Sequence, residues 1–239
     1  MNRTITLSAL CAFVGLAASA NASVVFTSTG AGGRAASVEF STSGNNLVVR
    51  LTNTSLIDIT APAQVLTGVY FNISGGSISL SRVSALLAAG SSVVGDTQPA
   101  GGVVGGEWAY RGGISIAGAS YGISSVGLGV FGGGDLFPGP DLDSPTSPNG
   151  VNYGITTNND NFSNNNGGAS VPLIRNSVVF TLSGLPTGFD LGRISGVVVQ
   201  YGSALDEPQD TTTLVPTPGA LALLSMGGLV ASRRRRVQG

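Results

Sequence analysis

The strongest constraint on this chain is a two-residue alternation that recurs in short runs between turn residues. Ala36, Val38 and Phe40 fall on one side of an extended segment, with Ser37, Glu39 and Ser41 on the other. After Ser43-Gly44-Asn45, Leu47, Val49 and Leu51 alternate with Val48, Arg50 and Thr52. A strand places successive side chains on opposite faces, so two such runs around a Gly/Asn turn predict a β-hairpin with one buried face. The same pattern returns at Val69, Phe71 and Ile73, at Val178, Phe180 and Leu182, and at Val197, Val199 and Tyr201. Only Val83 to Ala89, rich in Leu and Ala, reads as a short helix or irregular connection, since a segment that short followed by Gly90-Ser91-Ser92 nucleates helix poorly. No internal repeat occurs, which disfavours a β-helix or propeller. The expectation is an all-β fold, a single β-sandwich of jelly-roll type over residues 23–213.

Composition agrees with a packed chain. Of 239 residues, 42% are hydrophobic and 10% charged, and the 37 glycines with 11 prolines stay below the roughly 25–30% that marks low-complexity sequence. Residues 132–168 stand apart: Gly132-Gly-Gly-Asp-Leu-Phe-Pro-Gly-Pro-Asp-Leu-Asp-Ser-Pro145 and the later Asn/Gly clusters predict a long loop region, interrupted by one strand near Val151 to Thr156.

The absences narrow the chemistry. The chain has no histidine, no lysine and a single cysteine, Cys11. His-based acid/base and triad catalysis, His- or Cys-ligated metal sites and lysine Schiff-base chemistry are therefore excluded. Arg3 and Arg233 to Arg236 sit at the two ends, leaving six arginines against twelve acids between them, a net charge near −6 that disfavours nucleic acid as a partner.

The ends read as addresses. Residues 1–22 combine Arg3, an apolar run from Ile5 to Ala18 and the small-x-small Ala20-Asn21-Ala22, the layout of a secretory signal peptide with cleavage by signal peptidase between Ala22 and Ser23. Cys11 lies within the apolar run, so the mature chain would carry no cysteine. Residues 214–239 hold Val215-Pro216-Thr217-Pro218, an apolar run of about 14 residues from Gly219 to Ser232, and Arg233-Arg234-Arg235-Arg236. The run is shorter than the ~20 residues that span a bilayer comfortably, and the arginines favour the cytoplasmic side. It reads as a short hydrophobic helix used as a temporary membrane anchor.

That ordered arrangement resembles the PEP-CTERM sorting signal, whose usual core is Val-Pro-Glu-Pro; Thr217 stands where the glutamate would be. The resemblance implies export, transient retention in the inner membrane through the C-terminal helix, and processing by an exosortase. Several phrases of the middle also resemble a family of exosortase-dependent surface proteins: Leu51-Thr-Asn-Thr-Ser55, Val65-Leu-Thr-Gly-Val-Tyr-Phe71, Gly106-Glu-Trp-Ala-Tyr-Arg111, Gly122-Ile-Ser-Ser125, Ser147-Pro-Asn-Gly150, Asn176-Ser-Val-Val-Phe180 and Gln200-Tyr-Gly202. That resemblance implies a location, the cell surface or extracellular matrix, and no particular activity or cofactor.

Several motifs have a plain structural reading beside the chemical one. Gly118-Ala-Ser120-Tyr-Gly122 fits a nucleophile-elbow string but lacks a histidine base, and Gly127-Leu-Gly129-Val-Phe-Gly132 fits a dinucleotide fingerprint without a helix to follow it. Asp135, Asp141, Asp143 and Asp160 offer oxygen ligands suited to calcium, or are solvated turn residues. Three readings of function remain: a non-catalytic surface or matrix protein; a carbohydrate-binding module of the exopolysaccharide matrix, calcium-assisted or not; and a glycoside hydrolase using carboxylates alone, with Glu39, Glu107 and Glu207 as candidates. The binding module predicts Trp108, Tyr110 or Phe137 exposed on a platform or groove, whereas the structural protein predicts them buried.

Overall fold

The computed structural model describes residues 22–127, 150–163 and 171–216. The expected signal segment, most of the 132–168 loop region and the C-terminal helix lie outside them. Fourteen strands form two sheets, and the described residues contain short 3-10 turns but no α-helix. In chain order these are β1 (Ser23–Thr29), β2 (Ala35–Ser43), β3 (Asn46–Asn53), β4 (Leu66–Ile73) and β5 (Ser81–Leu87). Then come β6 (Ser92–Val94), β7 (Ala109–Ile116), β8 (Ala119–Ser124), β9 (Ile155–Thr156) and β10 (Leu173–Arg175). The last are β11 (Ser177–Ser183), β12 (Ile194–Tyr201), β13 (Gln209–Thr211) and β14 (Thr213–Val215). The smaller sheet has the order β14-β1-β2-β3-β11-β5. In the larger, β13-β12-β4-β9-β10-β6 form one path, while β8 joins β4 and β7 joins β8. Every named strand pair is antiparallel except β9 with β10.

The expected hairpin is present. β2 and β3 pair from Ala36 opposite Asn53 to Ser43 opposite Asn46, around Gly44 in the left-handed region (φ 59°). Ala36, Val38, Phe40, Leu47, Val49 and Leu51 are all buried, because the common register puts all six on one face. That face meets Leu66, Val69, Phe71, Ile123, Val197 and Val199 of the larger sheet in one hydrophobic cluster, so the two sheets share a core in a sandwich-like arrangement.

Aromatic rings carry the packing across the gap. Phe26 meets Phe40 edge-on at 5.8 Å between centroids, Phe40 meets Phe71 at 5.2 Å, and Phe71 stacks on Tyr121 at 5.5 Å. These four residues belong to β1, β2, β4 and β8, so the column runs from one sheet into the other. Edge-on and offset contacts suit the ring quadrupole and add about 0.5–1.5 kcal/mol per pair to the burial itself. Trp108 extends the core on the Phe180 side, with ring centroids 5.0 Å apart, and its indole N–H donates to the Tyr153 carbonyl at 3.1 Å.

Residues 83–87, expected as part of a short helix or irregular connection, instead lie within β5. It pairs with β11, placing the buried Ala85 opposite Phe180. Leu and Ala favour helix only weakly, and an available sheet edge with a buried face outweighs that preference. β4 also departs from simple alternation: Leu66 to Phe71 are buried throughout, because Tyr70 packs with Ala109 and Ala119 on the second face. The strand expected near Val151 to Thr156 is confined to Ile155–Thr156.

A C-terminal strap closes one side. β13 pairs with β12 of the larger sheet and β14 with β1 of the smaller, so seven residues touch both sheets. Between them Thr212 donates its N–H and hydroxyl to the Val197 carbonyl, at 3.1 and 2.8 Å. Asp210 forms a two-pronged ion pair with Arg34, both contacts at 3.0 Å, and Arg34 lies over the Tyr201 ring. Phe40→Ala, which empties the centre of the aromatic column, is expected to cost about 3–5 kcal/mol. Urea unfolding checks this: the midpoint should fall while a single cooperative transition is kept.

Candidate functional site

Residues proposed from the sequence for processing meet the sheets at their margins. Ser23 is the first residue of β1 and Ala22 before it is exposed. Val215 is the last residue of β14, opposite Val25, and it and Pro216 are exposed. Thr217, Pro218 and Arg233 to Arg236 lie outside the described residues. No helix among the described residues is long and apolar enough to cross a membrane.

The candidate carboxylates do not converge. Glu39 lies on β2 across from Arg50 of β3, lining a shallow depression on the outer face of the smaller sheet. Glu107 is fully buried and accepts from Asn152 Nδ2 at 3.4 Å. Glu207 caps its own loop, accepting from the Ser203 N–H and hydroxyl. Ser120 of the elbow-like string sits on β8, its N–H bonded to Asn72 Oδ1 at 3.0 Å.

Of the four loop aspartates, only Asp160 falls among the described residues. It is buried and accepts from the Ile59 N–H at 3.0 Å and the Thr156 hydroxyl at 2.6 Å. Burial pushes its carboxyl above the usual range, and the facing Asp58 carboxyl pushes the same way. Asp58 in turn accepts from the Asn161 N–H at 2.7 Å, and Arg175 donates to the Asp160 carbonyl at 2.7 Å. These contacts fold the 157–163 turn onto the Asp58 loop. The described residues hold no group of three or more metal-ligating acidic, His or Cys side chains.

Trp108 is buried at 1% exposure, and so is not a platform; Phe137 lies outside the described residues. Tyr110 differs. It is half-buried and lines two adjoining clefts that also share Leu80 and Gly112. One, of about 360 Å³, has Tyr121 and Ser77 to Leu80 in its walls; the other, of about 500 Å³, has Ser81, Arg82 and Arg111. The walls come from the β7–β8 hairpin of the larger sheet and from the segment entering β5 of the smaller.

Local sequence explains this opening. Gly112 and Gly113 interrupt β7 where its register against β8 shifts, and Gly113 takes φ 72°. A bulge bends the strand and leaves backbone uncovered. A Cβ at Gly112 would stand 3.0 Å from the Tyr110 hydroxyl, so glycine there makes room for that ring. The floor is pinned: the Tyr121 hydroxyl accepts from the Ile78 N–H at 2.9 Å and donates to the Ile78 carbonyl at 3.0 Å. Burial, then the neighbouring Tyr121, hold the Tyr110 phenol well above its ordinary pKa, so it stays neutral and able to donate. Sequence reasoning singled out Tyr110 but not Arg111, Arg82 or Tyr121; the last two are 28 and 11 residues from Tyr110 in the chain and reach the cleft only through sheet pairing.

The raised Asp160 pKa has a definite pH signature. The folded state holds that proton more tightly than the unfolded chain, where aspartate titrates near ~3.9, so this group's contribution falls as pH rises from there through the raised value. Asp160→Asn keeps an acceptor for Ile59 and gives Asp58 a donor. Its unfolding free energy relative to wild type should rise as pH increases from about 4 and level once the raised Asp160 pKa is passed; a flat or falling difference in urea titrations contradicts the assignment. Comparison of the chain with protein-family models, with curated proteins and with solved structures yields no match.

Proposed function

We propose that this chain is an exported, non-catalytic protein of the cell surface or extracellular matrix. Signal peptidase removes residues 1–22, the C-terminal helix holds the chain briefly in the inner membrane, and an exosortase processes the Val215-Pro216-Thr217-Pro218 signal. The working part is one sandwich of jelly-roll type, a topology supported by the repeated passage of the chain between the sheets, as from β3 to β4, β4 to β5 and β10 to β11.

The observation that carries the reading is where the strands begin and end. β1 starts at Ser23, directly after the first segment read as an address, and β14 stops at Val215, the first residue of the Val215-Pro216-Thr217-Pro218 motif. β1 and β14 are also paired neighbours, Val25 opposite Val215, so the two addresses adjoin neighbouring strands of one sheet. Burial of Trp108 and Glu107, and the dispersal of Glu39 and Glu207, favour structure over carboxylate catalysis. The second reading, a carbohydrate-binding module, is favoured by the cleft at Tyr110.

The test is the intact mass of protein recovered from the cell envelope and medium. The expected product begins at Ser23 and lacks the arginine cluster. Replacing Arg233 to Arg236 with glutamine should leave an unprocessed, mislocalised form. A full-length product in the cytosol beginning at Met1 overturns the reading.

A further inference from the structure

We infer that the outer face of the smaller sheet is a pairing surface for a second copy of this chain, across a two-fold axis that runs along the strands between β2 and β3. Strand register lines up one residue from each of the six strands in a single row: Val215, Val25, Glu39, Arg50, Val179 and Leu86, in the order β14, β1, β2, β3, β11, β5. Their chain neighbours Phe26, Phe40, Val49 and Phe180 fill the core, so the row itself faces outward. Glu39, Arg50 and Val179 line one shallow depression there, and Leu86 and Val215 are 37% and 39% exposed. The two halves of the row are complementary. One holds two apolar residues and an acid, the other a base and two apolar residues.

A half-turn about an axis parallel to the strands lays β2 of one copy over β3 of the other, β1 over β11 and β14 over β5. Glu39 then meets Arg50 of the second copy, Val25 meets its Val179 and Val215 meets its Leu86, and each contact is made twice. A two-fold interface needs this self-complementarity, because one patch must match its own image. An axis across the strands would set Glu39 on Glu39 and Arg50 on Arg50, so the charges select one orientation. Both charges are open to a partner: although Glu39 and Arg50 are paired in register, neither forms an ion pair among the described residues, in contrast to Arg34 and Asp210. The apolar pairs supply affinity, and the charges supply register, since an ion pair taken out of water roughly breaks even. Short side chains at Ser37, Ser41, Thr52 and Thr181 flank the row and let a second sheet approach to the usual face-to-face spacing. Six strands at ~4.8 Å, each about seven residues long, give a face of roughly 600 Å². That is somewhat under the ~800 Å² per partner of a standard interface, which points to a reversible dimer.

Sedimentation velocity on the purified protein reads this association whatever the route of export. The mass should rise from one chain toward two as concentration increases through the micromolar range. Glu39→Arg and Arg50→Glu each set like charges face to face across the axis and should weaken the dimer at least about tenfold. An equimolar mixture of the two variants should form a mixed dimer about as tight as wild type, because every facing pair is then opposite in charge. A strand damaged within its own chain could not be repaired by such mixing. The geometry is checked by placing cysteines at Val25→Cys and Val179→Cys together in a Cys11→Ser background. Within one chain these positions lie three strand spacings apart, about 14 Å, beyond the ~7 Å between Cα atoms that a disulfide bridges. Oxidation should therefore give a covalent dimer, and neither cysteine alone should do so. A chain that stays monomeric to about 100 μM, a dimer indifferent to both charge variants, a mixture no tighter than its components, or no covalent dimer from the paired cysteines overturns the inference.

Discussion

The contact between Phe40 and Phe71 is the point on which this structure turns. It is where the inner face of the smaller sheet meets the inner face of the larger, and its neighbours Phe26 and Tyr121 extend it outward on either side. Two twisted sheets gain stability by hiding their apolar faces from water, at roughly 25 cal/mol per Å². Apolar burial alone leaves the sliding of one sheet over the other weakly specified. Interleaved rings with preferred edge-on geometry remove that freedom, and here they also set the position of Tyr121. Because Tyr121 anchors Ile78, the same column that joins the sheets shapes the cleft beside Tyr110.

Buried polar side chains finish what the rings begin. Asn53 donates to the Ile155 carbonyl at 3.0 Å and accepts from the Ser55 N–H at 3.1 Å, tying the end of β3 to β9 in the other sheet. Gln200, fully buried, donates to the carbonyls of Tyr201 and Ala204, at 2.7 and 3.1 Å, and accepts from Gln209 at 2.7 Å, thereby holding the loop that delivers the strap. Asn176 takes φ 81°, a conformation asparagine tolerates better than most residues, and its backbone bonds both Thr156 and Asn53. These residues, with Trp108, fall inside the sequence phrases quoted at the outset. Their place in this chain is at joints of the fold, which accounts for motifs that carry no visible chemistry.

The sheet faces were legible because alternation is a local signal: one register settles Val38, Phe40, Leu47 and Val49 together. β5 was not, because Ser-Ala-Leu-Leu carries no alternation and becomes a strand only through its pairing with β11. The burial of Tyr70, between the alternating Val69, Phe71 and Ile73, was not legible for a similar reason. It depends on Ala109 and Ala119 arriving from a hairpin some 40 residues later. The candidate site divides the same way. Trp108, Tyr110 and Arg111 are adjacent in sequence, yet the structure sends the indole into the core and leaves the phenol at a cleft. The ring beside a bulge at Gly112 and Gly113 is the one that meets the opening, and that consequence of register cannot be read from composition.

The strap gives the fold its finish. Residues 209–215 engage both sheets, fastened by Asp210 to Arg34 and by Thr212 to Val197. A body closed in this way is expected to unfold as a unit although its last strand is short and exposed. Native-state hydrogen exchange on the purified protein tests that unity directly. Amides of β2 and β3 in one sheet and of β4 and β12 in the other should open with one shared free energy and one denaturant dependence, while those of β14 open at lower cost. Separate opening free energies for the two sheets would contradict the account, because a column of interlocked rings cannot let one sheet go without the other.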